Sequence, residues 1–158
     1  MIKHTAKFIL ASSLIVLGGF TATQAQMYSD TVLKVKIPNA FVLRDKTYPA
    51  GDYTFKPTDD ATDSPYLLEI VGPDRSVAFF DTIGTTVDNA PKDTEIVFNK
   101  IGDQYFLSQI WVKGETNGNE VVETSAEKGL VASGEPMAVF TVNEVNKSAK
   151  DLKERVTE

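Results

Sequence analysis

Apolar and polar residues alternate over short stretches of this chain, and that period of two constrains its fold more than any other feature. In residues 33–37, the sequence LKVKI, apolar side chains alternate with lysines. This pattern predicts a strand with one buried face and one solvent-exposed face. The same alternation recurs in residues 41–44 and 53–56. Because no helical pattern intervenes between these stretches, we predict an antiparallel all-β protein.

Turn residues separate the predicted strands. Tyr48-Pro49-Ala50-Gly51 has the residues of a type I turn, and Gly72-Pro73-Asp74-Arg75 predicts a hairpin turn. We assign Asn117-Gly118 to a further tight turn, because this pair favours hairpins. Phe106 to Val112 is apolar on both faces, which predicts a central strand covered on both sides. The other predicted strands are 66–71, 77–83, 94–99, 104–113, 119–123 and 137–142, with polar connections at 57–65 and 84–93.

Helix is predicted in two short segments near the end of the chain. Thr124-Ser125-Ala126-Glu127 has the form of a capping box, so we expect a helical turn through Leu130. Residues 143–158 place apolar side chains on one face of a tail that we expect to be helical and frayed. We therefore predict a single antiparallel β-sandwich or barrel domain of about eight short strands over residues 26–142, with a short C-terminal helix.

The first 25 residues have the form of a secretory signal peptide. Lys3 and Lys7 form a basic start, residues 8–20 are an apolar run, and Thr23 and Ala25 are the small residues that a signal peptidase reads. The run is shorter than the roughly 18 apolar residues that a membrane span needs. We therefore predict export, with cleavage after Ala25, to the periplasm or outside the cell.

Cleavage changes the composition that bears on function. The full chain has 16 basic and 22 acidic residues, a net charge of -6, one histidine and no cysteine. Loss of residues 1–25 leaves 133 residues with a net charge of -8 and no histidine. Without His or Cys, a Ser-His-Asp triad, a cysteine nucleophile and a histidine zinc site are all excluded. An acidic surface also disfavours nucleic acid and anionic membranes as partners. We expect no enzyme activity, no cofactor and no membrane insertion after cleavage.

One acidic loop is a candidate calcium site. Asp59, Asp60 and Asp63 lie close together, and exported proteins meet calcium. The EF-hand spacing is missing, because position 6 counted from Asp59 is Ser64 and position 12 is Ile70. A looser site remains possible beside the simpler interpretation of a solvated acidic loop.

Three aromatic residues are candidate contacts for a ligand or partner. Tyr53, Tyr105 and Trp111 combine an apolar ring with a polar atom, which suits sugar rings or a protein surface. Core packing is the alternative, because a domain without disulfides needs large side chains inside. The same alternative applies to the other aromatic residues on predicted strands: Phe55, Tyr66, Phe79, Phe80 and Phe106.

Two sequence blocks resemble a known group of proteins. The first is IPNAF (residues 37–41) followed by PAGDYT (49–54), and the second is GDQYFLSQIW (102–111). They resemble the "IP-x-x-F…PAG-x-YT" and "GD-x-YFLS-x-x-W" blocks of a group of uncharacterised secreted bacterial all-β proteins. The chain departs from that group at Asn39, where an aromatic residue is usual, and at Leu43-Arg44, where a small residue or Gly is usual. The resemblance implies an exported β-domain and no known activity.

Three functional hypotheses follow. The first is an exported, non-enzymatic domain that binds a protein or glycan or has a structural role in the envelope or extracellular matrix. The second is a β-barrel carrier that holds a small apolar ligand inside a cavity. The third is a hydrolase that uses a pair of carboxylates, which would lie within roughly 5 to 10 Å of each other in a cleft.

Overall fold

Ten strands and one helix make up the part of the chain that the computed structural model describes, residues 31–58 and 66–144. Their order confirms the predicted all-β fold with a single short helix. The elements are β1 (Leu33–Ile37), β2 (Phe41–Leu43), β3 (Lys46–Tyr48), β4 (Gly51–Pro57), β5 (Leu67–Val71), β6 (Val77–Thr86), β7 (Glu95–Ile101), β8 (Gln104–Trp111), β9 (Asn117–Val121), α1 (Ser125–Ala132) and β10 (Met137–Asn143).

All ten strands belong to one sheet. Strands β1, β4, β5, β6, β9, β8, β7 and β10 are neighbours in that order, and every pair among them is antiparallel. Strand β2 pairs with β3 on one side and with β8 on the other, where Val42 lies opposite Phe106. The contact between β2 and β8 is parallel, so the sheet is mixed and not wholly antiparallel as predicted.

The two end strands of the sheet approach each other. Strand β1 contacts β10, and the Lys34 backbone N–H lies 3.5 Å from Oε1 of Glu144, directly after β10. One continuous, curved sheet therefore surrounds the core. The sequence alone did not distinguish a sandwich of two stacked sheets from a barrel.

The interior of this sheet is filled with aromatic and branched side chains. The ring of Phe41 lies 5.4 Å from Tyr48, 5.1 Å from Tyr53 and 5.4 Å from Phe98, measured between centroids. Strand β1 buries its apolar residues and exposes both lysines, as its alternation predicts. Edge-on and stacked ring contacts at these distances add to the stabilisation from burial. Core packing is confirmed for most of the strand aromatics.

Strand β8 is covered on both faces, as its apolar pattern predicts. A bulge in its pairing with β7 leaves Ser108 without an opposite residue, since Phe98 pairs with Leu107 and Val97 with Gln109. Leu107 and Ile110 join the main core, whereas Phe106 and Trp111 are buried outside that cluster. The extra residue changes which side chains point inward, and this explains how neighbouring apolar residues are all buried.

Helix α1 begins as the capping box predicts and packs against β7. The Thr124 hydroxyl accepts a hydrogen bond from the Glu127 N–H at 3.1 Å, and the helix continues past Leu130 to Ala132. The Glu127 side chain, 4% exposed, accepts a bond from Nδ2 of Asn99 on β7 at 2.9 Å. This buried bond ties the helix to the sheet.

The predicted turn at Asn117-Gly118 is wrong. Both residues lie within β9, and the chain turns earlier, at Gly114, whose φ is +80°. Gly118 lies directly opposite Trp111, and a Cβ at this position would stand 2.5 Å from Cε3 of that ring. The glycine is therefore required by the close approach of the indole ring, not by a turn. Strand β6 also runs to Thr86, into the predicted polar connection at 84–93.

Several predictions concern residues outside the described ranges. These are the signal peptide at 1–25, the acidic residues Asp59, Asp60 and Asp63, and the helical tail from residue 145 onward. Within residues 31–58 and 66–144, no helix has the length and apolar character needed to cross a membrane.

Candidate functional site

The predicted contact residue Tyr53 lies inside the fold. Its side chain is 2% exposed, and its hydroxyl donates a hydrogen bond to the Pro49 carbonyl oxygen at 2.6 Å. Burial, and then the negative charge of Asp74, raises the pKa of Tyr53 to about 12. Hydrogen bonds from Ser76 lower the pKa of Asp74. Tyr53 therefore fixes the turn that precedes β4, and it is one of the residues that line a surface groove.

The other two predicted contact residues lie on β8 and are held by neighbours. Trp111 is 6% exposed, and its Nε1 donates to Oε1 of Gln109 at 3.1 Å. Tyr105 is half-buried, and its ring meets Phe140 edge-on at 5.3 Å. Nζ of Lys100 lies 5.7 Å from the centroid of the Tyr105 ring. Each of these rings is thus engaged within the protein, and together they do not form an exposed aromatic face.

The described residues hold one buried charged side chain and no metal cluster. Asp59, Asp60 and Asp63 lie outside the described ranges, so the calcium hypothesis stays a prediction. Across residues 31–58 and 66–144, no three Asp, Glu, His or Cys residues are grouped as a metal site requires. Glu127 is the buried carboxylate of this part of the chain, and its bond to Asn99 serves the packing of α1.

A row of apolar side chains on the outer surface of β6 is an exposed feature that the sequence did not predict. Val77, Phe79 and Ile83 are 52%, 58% and 50% exposed, and they lie on the same outer face of one strand, where Asp81 stands between Phe79 and Ile83. We call these three residues the β6 outer row. Phe80 and Thr82, on the opposite face of the strand, are buried. A group of large apolar side chains exposed to solvent is typical of an interaction surface.

Two ion pairs lie within or beside the β6 outer row. Phe79 lies opposite Glu69, which forms an ion pair with Lys56 at 3.3 Å between Nζ and Oε2. Asp81, within the strand, pairs with Arg44 at 2.7 Å. The exposed pair Arg44–Asp81 stabilises the fold by at most about 1 kcal/mol, and the pair Lys56–Glu69 is only partly exposed. One pair lies between Phe79 and Ile83 and the other beside Phe79, so the surface combines apolar and charged side chains.

A shallow groove of about 280 Å³ adjoins this row on the same side of the sheet. Val71 belongs to both features, because it lines the groove and lies opposite Val77 across β5 and β6. The volume lies just below the usual range for a small-molecule pocket, roughly 300 to 1,000 Å³. The groove suits one side chain of a partner. Its lining residues are Lys34, Val35, Asp52, Tyr53, Thr54, Val71 and Gly72.

Comparison with known proteins identified no relative of this chain. No protein-family model, no curated protein and no solved structure matches the chain. The resemblance to secreted bacterial all-β proteins therefore stays a prediction that rests on the two sequence blocks alone.

The β6 outer row was not predicted because the alternation of apolar residues in β6 does not indicate which face of the strand is buried. The inward-facing residues are Ala78, Phe80 and Thr82, of which two are small or polar. The outward-facing positions hold the larger apolar residues, so the apolar pattern alone favours burial of the wrong face. For Phe79 the sequence allowed either core packing or a surface contact, and its exposure contradicts core packing.

Proposed function

We propose that this protein is an exported, non-enzymatic domain that binds another protein through the β6 outer row. The observation that carries the proposal is the exposure of three large apolar side chains on one face of a strand, with one ion pair beside Phe79 and another between Phe79 and Ile83. Export rests on the predicted signal peptide at residues 1–25. A structural role in the envelope would use the same surface, because it too requires a bound partner.

The character of the surface favours a protein partner over a glycan. Sugar rings stack on exposed Tyr and Trp rings, but Tyr53 and Trp111 are buried and Tyr105 packs against Phe140. Aliphatic side chains and Phe79 dominate the β6 outer row, and these residue types bind apolar side chains of a polypeptide.

The interior favours surface binding over an internal carrier. Phe41 contacts both Tyr53 and Phe98 in the interior, and the rings of Phe55 and Phe80 meet edge-on at 6.3 Å. Space filled by rings at van der Waals distance leaves no volume there for an apolar ligand. The carrier hypothesis remains the alternative, with a ligand retained on purification as its signature.

The carboxylate hydrolase is the weakest of the three hypotheses. It needs two carboxylates facing one cleft, with the pKa of one raised so that it can donate a proton. Among the described residues the buried carboxylate is Glu127, which is bound to Asn99 under helix α1. The groove beside the β6 outer row offers the single carboxylate Asp52.

Native mass spectrometry on protein from the exported fraction of its own cells tests the proposal. We expect a bound polypeptide, and a chain that begins at Gln26. Phe79→Lys should remove the polypeptide, because a charge at the centre of an apolar contact must be desolvated on binding. Val131→Lys on helix α1 is the matched control, since Val131 is 49% exposed and outside the row.

Three outcomes would contradict this function. The polypeptide could stay bound to Phe79→Lys, which would place its contact elsewhere. A bound sugar or small apolar molecule in place of a polypeptide would support a glycan-binding protein or a carrier. A chain that retains residues 1–25 and stays inside the cell would refute export. Circular dichroism on both variants confirms that the fold is kept, so that loss of the partner reports on binding.

A further inference from the structure

Acidic side chains in and beside the β6 outer row differ in whether the protein itself neutralises them. Among the described residues, three lie on β6 or on the two strands beside it, namely Asp81, Glu69 and Glu120. Arg44 pairs with Asp81 at 2.7 Å, and Lys56 pairs with Glu69 at 3.3 Å. Within the described part of the chain, the Glu120 side chain has neither an ion pair nor a hydrogen bond. One negative charge of this surface is therefore left without a cation.

Glu120 has apolar and uncharged neighbours on the outer face of the sheet. On β9 it lies opposite Ile83 of β6 on one side and opposite Gln109 of β8 on the other. Val121 belongs to the core, so Val122 lies on the outer face together with Glu120 and is 55% exposed. The half-buried carboxylate thus has one exposed apolar side chain beside it on β6 and another beside it along its own chain.

A partner that covers Ile83 and Val122 must also cover the carboxylate of Glu120. Opposite residues on neighbouring strands have Cβ atoms about 5 Å apart, and residues two positions apart along a strand lie about 7 Å apart. A polypeptide that packs on both apolar side chains therefore removes the carboxylate from water. Desolvation of an ionised carboxylate is costly when no counter-charge replaces the water, so the partner itself must supply a cation at this point.

We propose that the partner presents a lysine or arginine to Glu120, between apolar residues that cover Ile83 and Val122. This inference rests on the proposed function, because it describes the polypeptide that the β6 outer row binds. In an extended segment, side chains two positions apart share a face, so the partner carries an apolar-x-basic-x-apolar pattern. The net charge of the chain, -6, also attracts a basic partner at long range.

Three synthetic peptides test the chemistry of the partner. Each has the sequence Ser-Ser-Leu-Ser-X-Ser-Leu-Ser-Ser with blocked ends, and X is lysine, glutamine or glutamate. Titration into the isotope-labelled protein, followed by backbone amide NMR shifts, locates the contact and gives the dissociation constant. We expect shifts in β6 and β9, and we expect the lysine peptide to bind at least about fivefold more tightly than the glutamine peptide. The glutamate peptide should bind more weakly than either, because it places two carboxylates together.

Glu120→Gln is the variant that tests the charged contact itself. Without the carboxylate, the lysine and glutamine peptides should bind within about twofold of each other. Glu135→Gln is the matched control, because it removes the same charge from an exposed residue beyond helix α1 and should keep the preference for lysine. Ile83→Ala tests the apolar contact separately, and it should weaken the lysine and glutamine peptides by a similar factor.

The outcomes separate the charged contact from the proposed function. Equal binding of the lysine and glutamine peptides at β6 and β9, weakened by Ile83→Ala, would overturn the charged contact and leave the apolar surface as a binding site. A preference for lysine that survives Glu120→Gln, or that is lost in Glu135→Gln, would also overturn it, because the net charge and not Glu120 would then be responsible. Absence of shifts in β6 and β9 with every peptide would overturn both the charged contact and the proposed function.

Discussion

Replacement of Gly118 by alanine tests the close approach of the Trp111 ring to this glycine. The added Cβ would lie 2.5, 2.7 and 2.8 Å from Cε3, Cζ3 and Cδ2 of Trp111. Because carbon atoms pack best at about 3.5 to 4.0 Å, the indole ring must move by about 1 Å. Its movement is restrained, since Nε1 of Trp111 is bonded to Gln109 and the side chain is buried.

The expected loss of stability is the difference of two effects. Forcing an extra methyl group into a packed site costs about 1 to 3 kcal/mol. Alanine also restricts the unfolded chain more than glycine does, which offsets the loss by about 0.5 to 1 kcal/mol. We therefore expect the free energy of unfolding of Gly118→Ala to fall by about 1 to 2 kcal/mol.

Urea unfolding followed by tryptophan emission measures this change. The chain has one tryptophan, so the emission reports on the displaced ring directly and should shift to longer wavelength in the folded variant. Gly129→Ala is the matched control, because nothing lies within 4 Å of a Cβ there and the residue is within helix α1. It should raise stability by about 0.5 to 1 kcal/mol. An unchanged midpoint and emission in Gly118→Ala would refute the steric argument.

Two further changes probe the buried hydrogen bonds. Glu127→Ala leaves Nδ2 of Asn99 without its acceptor, so urea unfolding should show a loss of about 1 to 3 kcal/mol; a loss comparable to that of an exposed glutamate would contradict this. Tyr53→Phe removes the bond to Pro49 and should cost about 1 kcal/mol at neutral pH. Because the pKa of Tyr53 is raised from 10.0 to about 12 in the folded protein, the unfolded chain loses this proton first. The contribution of the Tyr53 proton to the free energy of unfolding is therefore fully present below pH 10. It falls by up to about 2 to 3 kcal/mol as the pH rises to 12. The fall should be smaller in Tyr53→Phe, and an equal fall in both proteins would show that Tyr53 does not titrate in this way.

Features of the fold that depend on local chemistry could be predicted from the sequence. The alternation in residues 33–37 gives β1 with its observed bounds, because one face of that strand is apolar and the other is charged. The capping box gives the start of α1, because the Thr124 hydroxyl and the Glu127 N–H are neighbours in any helix that begins there. Neither feature needs knowledge of distant residues.

Features that depend on contacts between distant strands could not be predicted. Asn117-Gly118 has the local chemistry of a hairpin turn, but the pairing of β8 with β9 places this glycine under Trp111. The register of Val77 to Ile83 is likewise set by its neighbours. Pairing with β5 and β9 turns Phe80 inward, next to Phe55, and turns Phe79 to solvent.

The candidate site illustrates the same limit. Tyr53 and Trp111 were predicted as contact residues for their chemistry, yet both are buried, and Phe79 lies on the surface. An aromatic residue on a strand has the same local pattern whether it points into the core or out of it. Only the topology of the whole sheet distinguishes the two cases.

The exposed apolar residues of β6 are not explained by the stability of the core. A shift of β6 by one residue would bury Val77, Phe79 and Ile83, and would expose Phe80. The inner face is already occupied, because Phe80 meets Phe55 edge-on there. Space in the interior therefore sets the size of Ala78 and Phe80, while no packing requirement acts on the outer residues. Polar side chains at the outer positions would serve the fold equally well, so the large apolar residues found there are best explained by a partner that covers them.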